Sequence, residues 1–118
     1  MRDFKKLEIW KNGISIVKQV YQLSHQLPAQ EKFGLISQIN RAAVSIPSNI
    51  AEGCSRNSEI EFKRFLEIAI GSLFEIETQL IIIVELKLID LKKIENLMTL
   101  IHKEGRMING LINKIKKS

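Results

Sequence analysis

Two sets of side chains in this chain have the types and spacing to do chemistry: a polar ladder in the middle and basic clusters towards the ends. The ladder lies within QINRAAVSIPSNIAEGCSRNSEIE, residues 38–61. Gln38, Arg41, Ser45, Ser48, Asn49, Glu52 and Arg56 recur at steps of three or four, or stand side by side, which lines them along one face of a helix. Such a seam has two uses. It can satisfy backbone carbonyls and pair internally, as a network that sets register and assembly, or it can hold a ligand or partner. Arg41, Ser45, Asn49, Glu52 and Arg56 are the candidates for either role.

The basic clusters carry the net charge of +5. Residues 1–11 hold Arg2, Lys5, Lys6 and Lys11 against Asp3 and Glu8, and residues 102–118 hold Lys103, Arg106, Lys114, Lys116 and Lys117 against Glu104. The 90 residues between them hold nine basic and ten acidic side chains. Positive charge concentrated in this way attracts phosphate backbones by releasing condensed counterions, with no need for base contacts. Lys5, Lys6, Lys11, Lys103, Arg106, Lys114, Lys116 and Lys117 are therefore the candidate nucleic-acid-binding residues. Lysine-rich ends are also ordinary solubilising ends, and that is the competing reading.

Catalytic constellations do not assemble. A carboxylate di-iron site needs Glu-x-x-His on two helices, so that both ligands face the core one turn apart. The residues three before His25 and His102 are Gln22 and Thr99. Neither histidine has an arginine shortly before it, the pairing used by some helical toxin ribonucleases. Glu75 and Glu77 are two residues apart and so lie on different faces of a helix. No glycine-rich phosphate loop or Ser/His/Asp order is present. The single cysteine, Cys54, excludes an internal disulfide and reads as a small buried hydrophobe. The sequence therefore predicts a non-enzymatic chain with no metal and no cofactor.

The elements that position these groups are helices. A length of 118 residues with 45% hydrophobic and 26% charged side chains suits one globular domain over 1–118. Helix one is expected over about 4–25, with Leu7, Trp10, Ile14, Val17 and Tyr21 on one stripe and Ile9, Ile16, Val20 and Leu23 on a second beside it. Helix two is expected over about 30–56. Its apolar and small positions, Ile39, Ala42, Ala43, Ile46, Ile50, Gly53 and Cys54, keep phase straight through Pro47. That predicts a helix kinked at Pro47 rather than broken, because Pro47 has no N–H for the Ala43 carbonyl. Arg41, Asn49, Glu52 and Arg56 are expected to be partly buried at the bend.

Ser58-x-x-Glu61 is a capping box that starts helix three, which runs to about Lys87 and is apolar on nearly every side in its second half. So little polar surface means that either its neighbours in the bundle surround it or another subunit covers it, and the second is the expectation. Asp90 is the expected N-cap of helix four. Four long helices on short connections predict an all-α, up-down-up-down four-helix bundle, which brings both chain ends, and their basic charge, to one pole. The longest apolar run is Leu80–Val84, too short to span a membrane, and MRDFKKLEIW lacks the apolar core of a signal peptide. A cytoplasmic location with no membrane partner is the expectation.

RAAVSIPSNIAEG, Arg41–Gly53, resembles the signature of the bacterial four-helix-bundle family of 23S rRNA intervening-sequence (S23-like) proteins. Phe4, Leu7 and Trp10, then Pro28, Glu31, Phe33, Gly34 and Leu35, then Arg56 and FLEIAIGSLFEIETQL, extend the resemblance over nearly the whole chain. It implies a bundle that assembles into a homo-oligomeric ring, a homopentamer. The chain is also similar to the accessory protein of diversity-generating retroelements, a pentameric barrel that binds nucleic acid and a reverse transcriptase. RNA or DNA, and a protein partner, are the partners this implies. No catalytic residue comes with the resemblance.

Overall fold

The computed structural model describes residues 2–117, except the side chain of Lys117, and contains four α-helices with no strand among the described residues. They are α1 (Glu8–Ser24), α2 (Ser37–Cys54), α3 (Glu59–Glu85) and α4 (Leu91–Lys117). Each packs against the next, and α4 closes against α1. The body measures 46 × 22 × 20 Å. No described helix is long and apolar enough to cross a membrane.

Three sets of contacts fix the antiparallel order. Asn12 of α1 donates to the Leu100 carbonyl of α4 at 3.2 Å, and Asn96 of α4 meets Gln19 of α1 at 3.4 Å, so the two helices run in opposite directions. At the start of the chain, the Arg2 N–H donates to the Cys54 carbonyl at 3.3 Å and its guanidinium pairs with Glu59 at 2.8 Å. The chain start and the α2–α3 turn therefore share one end of the bundle, and α4 runs towards that end.

The two stripes of α1 are ranked opposite to their order in the sequence. Ile9, Ile16, Val20 and Leu23 are the buried set, with Gly13 among them, while Leu7, Trp10, Ile14 and Val17 are half-buried and Tyr21 is exposed. The second group instead borders a groove of about 290 Å³, in which Trp10, Ile14 and Val17 face Val44, Pro47 and Ala51 of α2. A short 3₁₀ turn at Phe4–Lys6 precedes α1, its first N–H groups capped by Asp3, whose carboxylate accepts from the Lys5 N–H at 3.2 Å. The expected single helix from residue 4 is thus two pieces.

Helix two also starts later than the periodicity predicted. A 3₁₀ turn (Ala29–Glu31) and a π-helical turn (Lys32–Ile36) precede it. The reason is Gly34, whose φ of −106° and ψ of −108° lie outside the helical region, a conformation open to a residue without Cβ. From Ser37 the helix runs continuously past the buried Pro47 to Cys54, as the unbroken phase requires.

Helix α3 begins at Ser58, whose hydroxyl oxygen accepts from the Glu61 N–H at 3.2 Å, while its O–H faces the Glu61 carboxylate at 3.3 Å. It ends in a Schellman turn: the Leu88 N–H donates to the Ile83 carbonyl at 3.0 Å and the Lys87 N–H to that of Val84 at 2.9 Å. Lys87 takes the left-handed position, φ 59°, usually given to glycine. Asp90 immediately precedes α4, and its carbonyl accepts from the Lys93 N–H at 3.0 Å.

The core is one continuous set of aliphatic side chains around Phe62, with Leu66, Leu73, Ile76 and Leu80 of α3 facing Ile39, Ile46 and Ile50 of α2. Those α3 residues occupy one side of the helix. The opposite side carries Ile60, Phe74, Ile81, Ile82 and Leu86, all exposed, with Phe74 at 69%. These apolar residues are interspersed with exposed Arg64, Glu67, Glu75, Thr78 and Glu85.

Candidate nucleic-acid interface

Charge is sorted by helix pair. Residues 1–30, which supply α1, hold five basic and two acidic side chains, and residues 91–118, which supply α4, hold seven and two. Residues 31–90, with α2 and α3, hold six basic and nine acidic side chains. Because α1 and α4 are neighbours, the positive excess occupies one side of the bundle along its length. The expected basic pole is one end of this longer basic side.

Lys5 and Lys6 lie in the turn before α1, Lys11 on α1, and Lys103, Arg106, Lys114 and Lys116 on α4, and all are exposed. Lys11 reaches Glu8 at 3.7 Å. The side chain of Lys117 lies outside the described residues. Counting charge by position in the chain passed over Lys18 and Lys92, which are exposed on the same two helices. The signal that finds them is helix membership rather than distance from a terminus.

The polar ladder divides. Ser45 and Asn49 are half-buried: Asn49 Nδ2 donates to the Ser45 carbonyl at 2.7 Å, and the Ser45 hydroxyl donates to the Ala42 carbonyl at 2.7 Å and meets the Ser72 hydroxyl across on α3. Arg41, Glu52 and Arg56 are exposed on the chain, contrary to the expected partial burial. Arg56 pairs with Glu52 at 3.3 Å and lies 5.1 Å from the Phe65 ring, and Arg41 reaches only Ser37, at 3.5 Å. Aliphatic side chains fill the inner side of α2, which leaves its long charged residues at the rim. Arg41 and Ser45 face Ser72 and Glu75 of α3 across a cavity of about 210 Å³.

Two further polar groupings arise from residues distant in the chain. Glu77 of α3 meets His102 Nε2 of α4 at 3.3 Å, in a groove of about 270 Å³ that Phe74, Arg106 and Asn109 also line. Glu104 of α4 is fully buried. Its Oε1 accepts from Asn12 Nδ2 at 3.1 Å, and its Oε2 has no hydrogen-bond partner. A Cβ at Gly13 would lie 3.4 Å from that oxygen, so the glycine leaves room for the carboxyl group against α1. Burial pushes the Glu104 carboxyl up from an ordinary 4.5 to about 7, against the opposing pull of the Asn12 hydrogen bond and the Lys103 charge. A signal for Glu104 did exist: Ile94, Leu97, Ile101, Glu104, Ile108, Leu111 and Ile115 follow alternating steps of three and four, and the glutamate holds a core position in that series.

Cys54 is buried, and burial pushes its thiol up, so the group stays protonated. Among the described residues, no three or more His, Cys, Asp or Glu side chains are grouped to hold a metal ion.

The family model described as 23S rRNA-intervening sequence protein matches residues 5–110. Among curated proteins none matches the chain. A crystal structure of a protein of unknown function from the S23 ribosomal protein family of Bacteroides thetaiotaomicron is similar, with a TM-score of 0.82 and 22% identity over 88% of this chain and 97% of that one. At that identity the likeness establishes the shared fold. The family match takes in α1, α2 and α3 and most of α4 and contains the whole Arg41–Gly53 signature, and with it the chain belongs to the 23S rRNA-intervening sequence protein family.

Proposed function

We propose that this chain is a non-enzymatic, cytoplasmic, nucleic-acid-binding protein that works as a homo-oligomer, with RNA as its polyanion. The observation that carries the reading is the sorting of charge, with a basic α1–α4 side and an acidic balance on α2 and α3. Contact through phosphates would be tolerant of sequence and steep in salt, because each neutralised phosphate releases counterions. Titration of a labelled RNA at several salt concentrations is the test. The expected result is a linear fall of log affinity with log salt, and no detectable binding at low salt would overturn the reading.

Self-association rests on the outer face of α3. Phe74, Ile81, Ile82 and Leu86 form an exposed apolar surface of a kind that usually marks an association site. A ring of five is the assembly that the family resemblance implies. Light scattering at micromolar concentration is expected to give a multiple of the 13.5 kDa chain mass, and Ile81→Glu with Ile82→Glu to reduce it towards the monomer. A wild-type monomer would instead favour a second reading, in which this face holds a different protein and the chain is an adaptor.

A further inference from the structure

Helix α4 carries a straight basic line. Lys92, Lys103 and Lys114 are each eleven residues apart. Eleven residues are close to three helical turns, so the three lysines stand one above another at intervals of about 16 Å, over about 33 Å in all. The line lies opposite the buried residues Ile94, Ile101 and Ile108, and all three lysines are exposed with no ion pair among the described residues. Asn96, Thr99, Arg106 and Gly110 occupy the surface between them. Of the two acids of α4, Glu104 is in the core, and the exposed Glu95, three residues after Lys92 and so its neighbour on the helix surface, lies towards the flank that holds His102. From the next helix, Lys11 and Lys18 are also exposed on the side of α1 away from the core.

We propose that a double-helical nucleic-acid stem lies parallel to α4, with Lys92, Lys103 and Lys114 neutralising its phosphates. This rests on the nucleic-acid reading and adds which side of the bundle is used and which form of nucleic acid it takes. The line, about 33 Å long, is the length of a short double-helical stem. A duplex is favoured over a single strand by the residues present. Surfaces that grip single strands interleave basic groups with aromatic rings on which bases stack. Helix α4 has no Phe, Trp or Tyr, and Trp10 of α1 lies in the groove with α2. The exposed ring of Phe74 on α3, beside α4, lines the groove with His102 and Arg106, on the flank towards α3 rather than between the three lysines.

The test compares two variants with equal loss of charge. One carries Lys92→Gln, Lys103→Gln and Lys114→Gln. The other carries Lys32→Gln, Arg64→Gln and Lys87→Gln, exposed positions before α2, on α3 and just after it. Each is titrated with a hairpin RNA whose paired stem is long enough to span the line and with an unpaired RNA of equal length, at several salt concentrations. Circular dichroism confirms that each variant is folded. The expected result is that the wild type prefers the stem and that the α4 variant flattens its log–log salt slope by about 2–3, as loss of three phosphate contacts requires. The control variant should keep the wild-type slope. Equal effects of the two variants, or equal affinity for stem and single strand, would overturn the placement while leaving nucleic-acid binding in place. Absence of any binding by the wild type would overturn both.

Discussion

Raising the pH from 5 to 8.5 is expected to remove about 2–3 kcal/mol of stability through Glu104 alone. The fully buried carboxyl makes one hydrogen bond, from Asn12, and has a second oxygen without a partner. An ionised group in that setting is poorly compensated, so burial raises its value from 4.5 to about 7. Because the folded-state value lies above the unfolded one, the stabilisation is complete below about pH 4.5 and is lost as the pH rises through about 7. Glu104→Gln keeps the shape and the acceptor for Asn12 but cannot ionise. The variant should melt about 10 °C above the wild type at pH 8.5 and within a few degrees of it at pH 5. Thermal melts of both proteins across this range decide the matter, since only the difference between them isolates Glu104 from other titrating groups. Parallel curves would mean that the carboxyl is ionised at neutral pH with a partner of its own.

Gly53→Ala should cost about 1–2 kcal/mol, although alanine is the better helix former by up to about 1 kcal/mol. Gly53 lies near the end of α2, against the first turns of α3. An added Cβ would lie 2.9 Å from the Phe65 Cβ, 3.1 Å from a ring carbon of Phe62 and 3.4 Å from the Phe62 carbonyl oxygen. Phe62 is the largest fully buried side chain and Phe65 Cβ is fixed to the backbone, so neither can yield without moving α3. Overpacking of this kind typically exceeds the gain in helix propensity. Gly110→Ala is the control, because nothing lies within 4 Å of its Cβ position, and it should gain about 0.5–1 kcal/mol. Urea midpoints for the two variants are therefore expected to move in opposite directions. A stabilised Gly53→Ala would show that α2 and α3 can separate at no cost, against the packing described above.

Much of the architecture follows from local sequence. The unbroken three-and-four spacing carries α2 past Pro47 without a break, Ser58-x-x-Glu61 sets the start of α3, and Asp90 directly precedes α4. Helical periodicity and capping depend on neighbours within one turn, so these features need no knowledge of the rest of the chain. The starts of α1 and α2 were less legible. Gly34 interrupts what periodicity joined, because spacing records side chains and is silent on a backbone excursion.

The placement of charge was decided only in three dimensions. The sequence by itself determined that positive residues outnumber negative ones towards both ends. It took the packing of α1 against α4 to merge those ends into one basic side, and to bring Lys18 and Lys92 into it. Burial was decided the same way. Two adjacent stripes on α1 were equally apolar, and the positions of α2 and α4 selected Ile9, Ile16, Val20 and Leu23 for the core. Arg41, Glu52 and Arg56 kept the helical period of a buried seam yet lie at the rim, since desolvating their charges costs more than hydrogen bonds along one helix return. Glu104 is the reverse case, a charged residue type at a core position. Period alone assigns a face to each residue, but whether that face meets water or another helix depends on the partner, and the partner is set by tertiary packing.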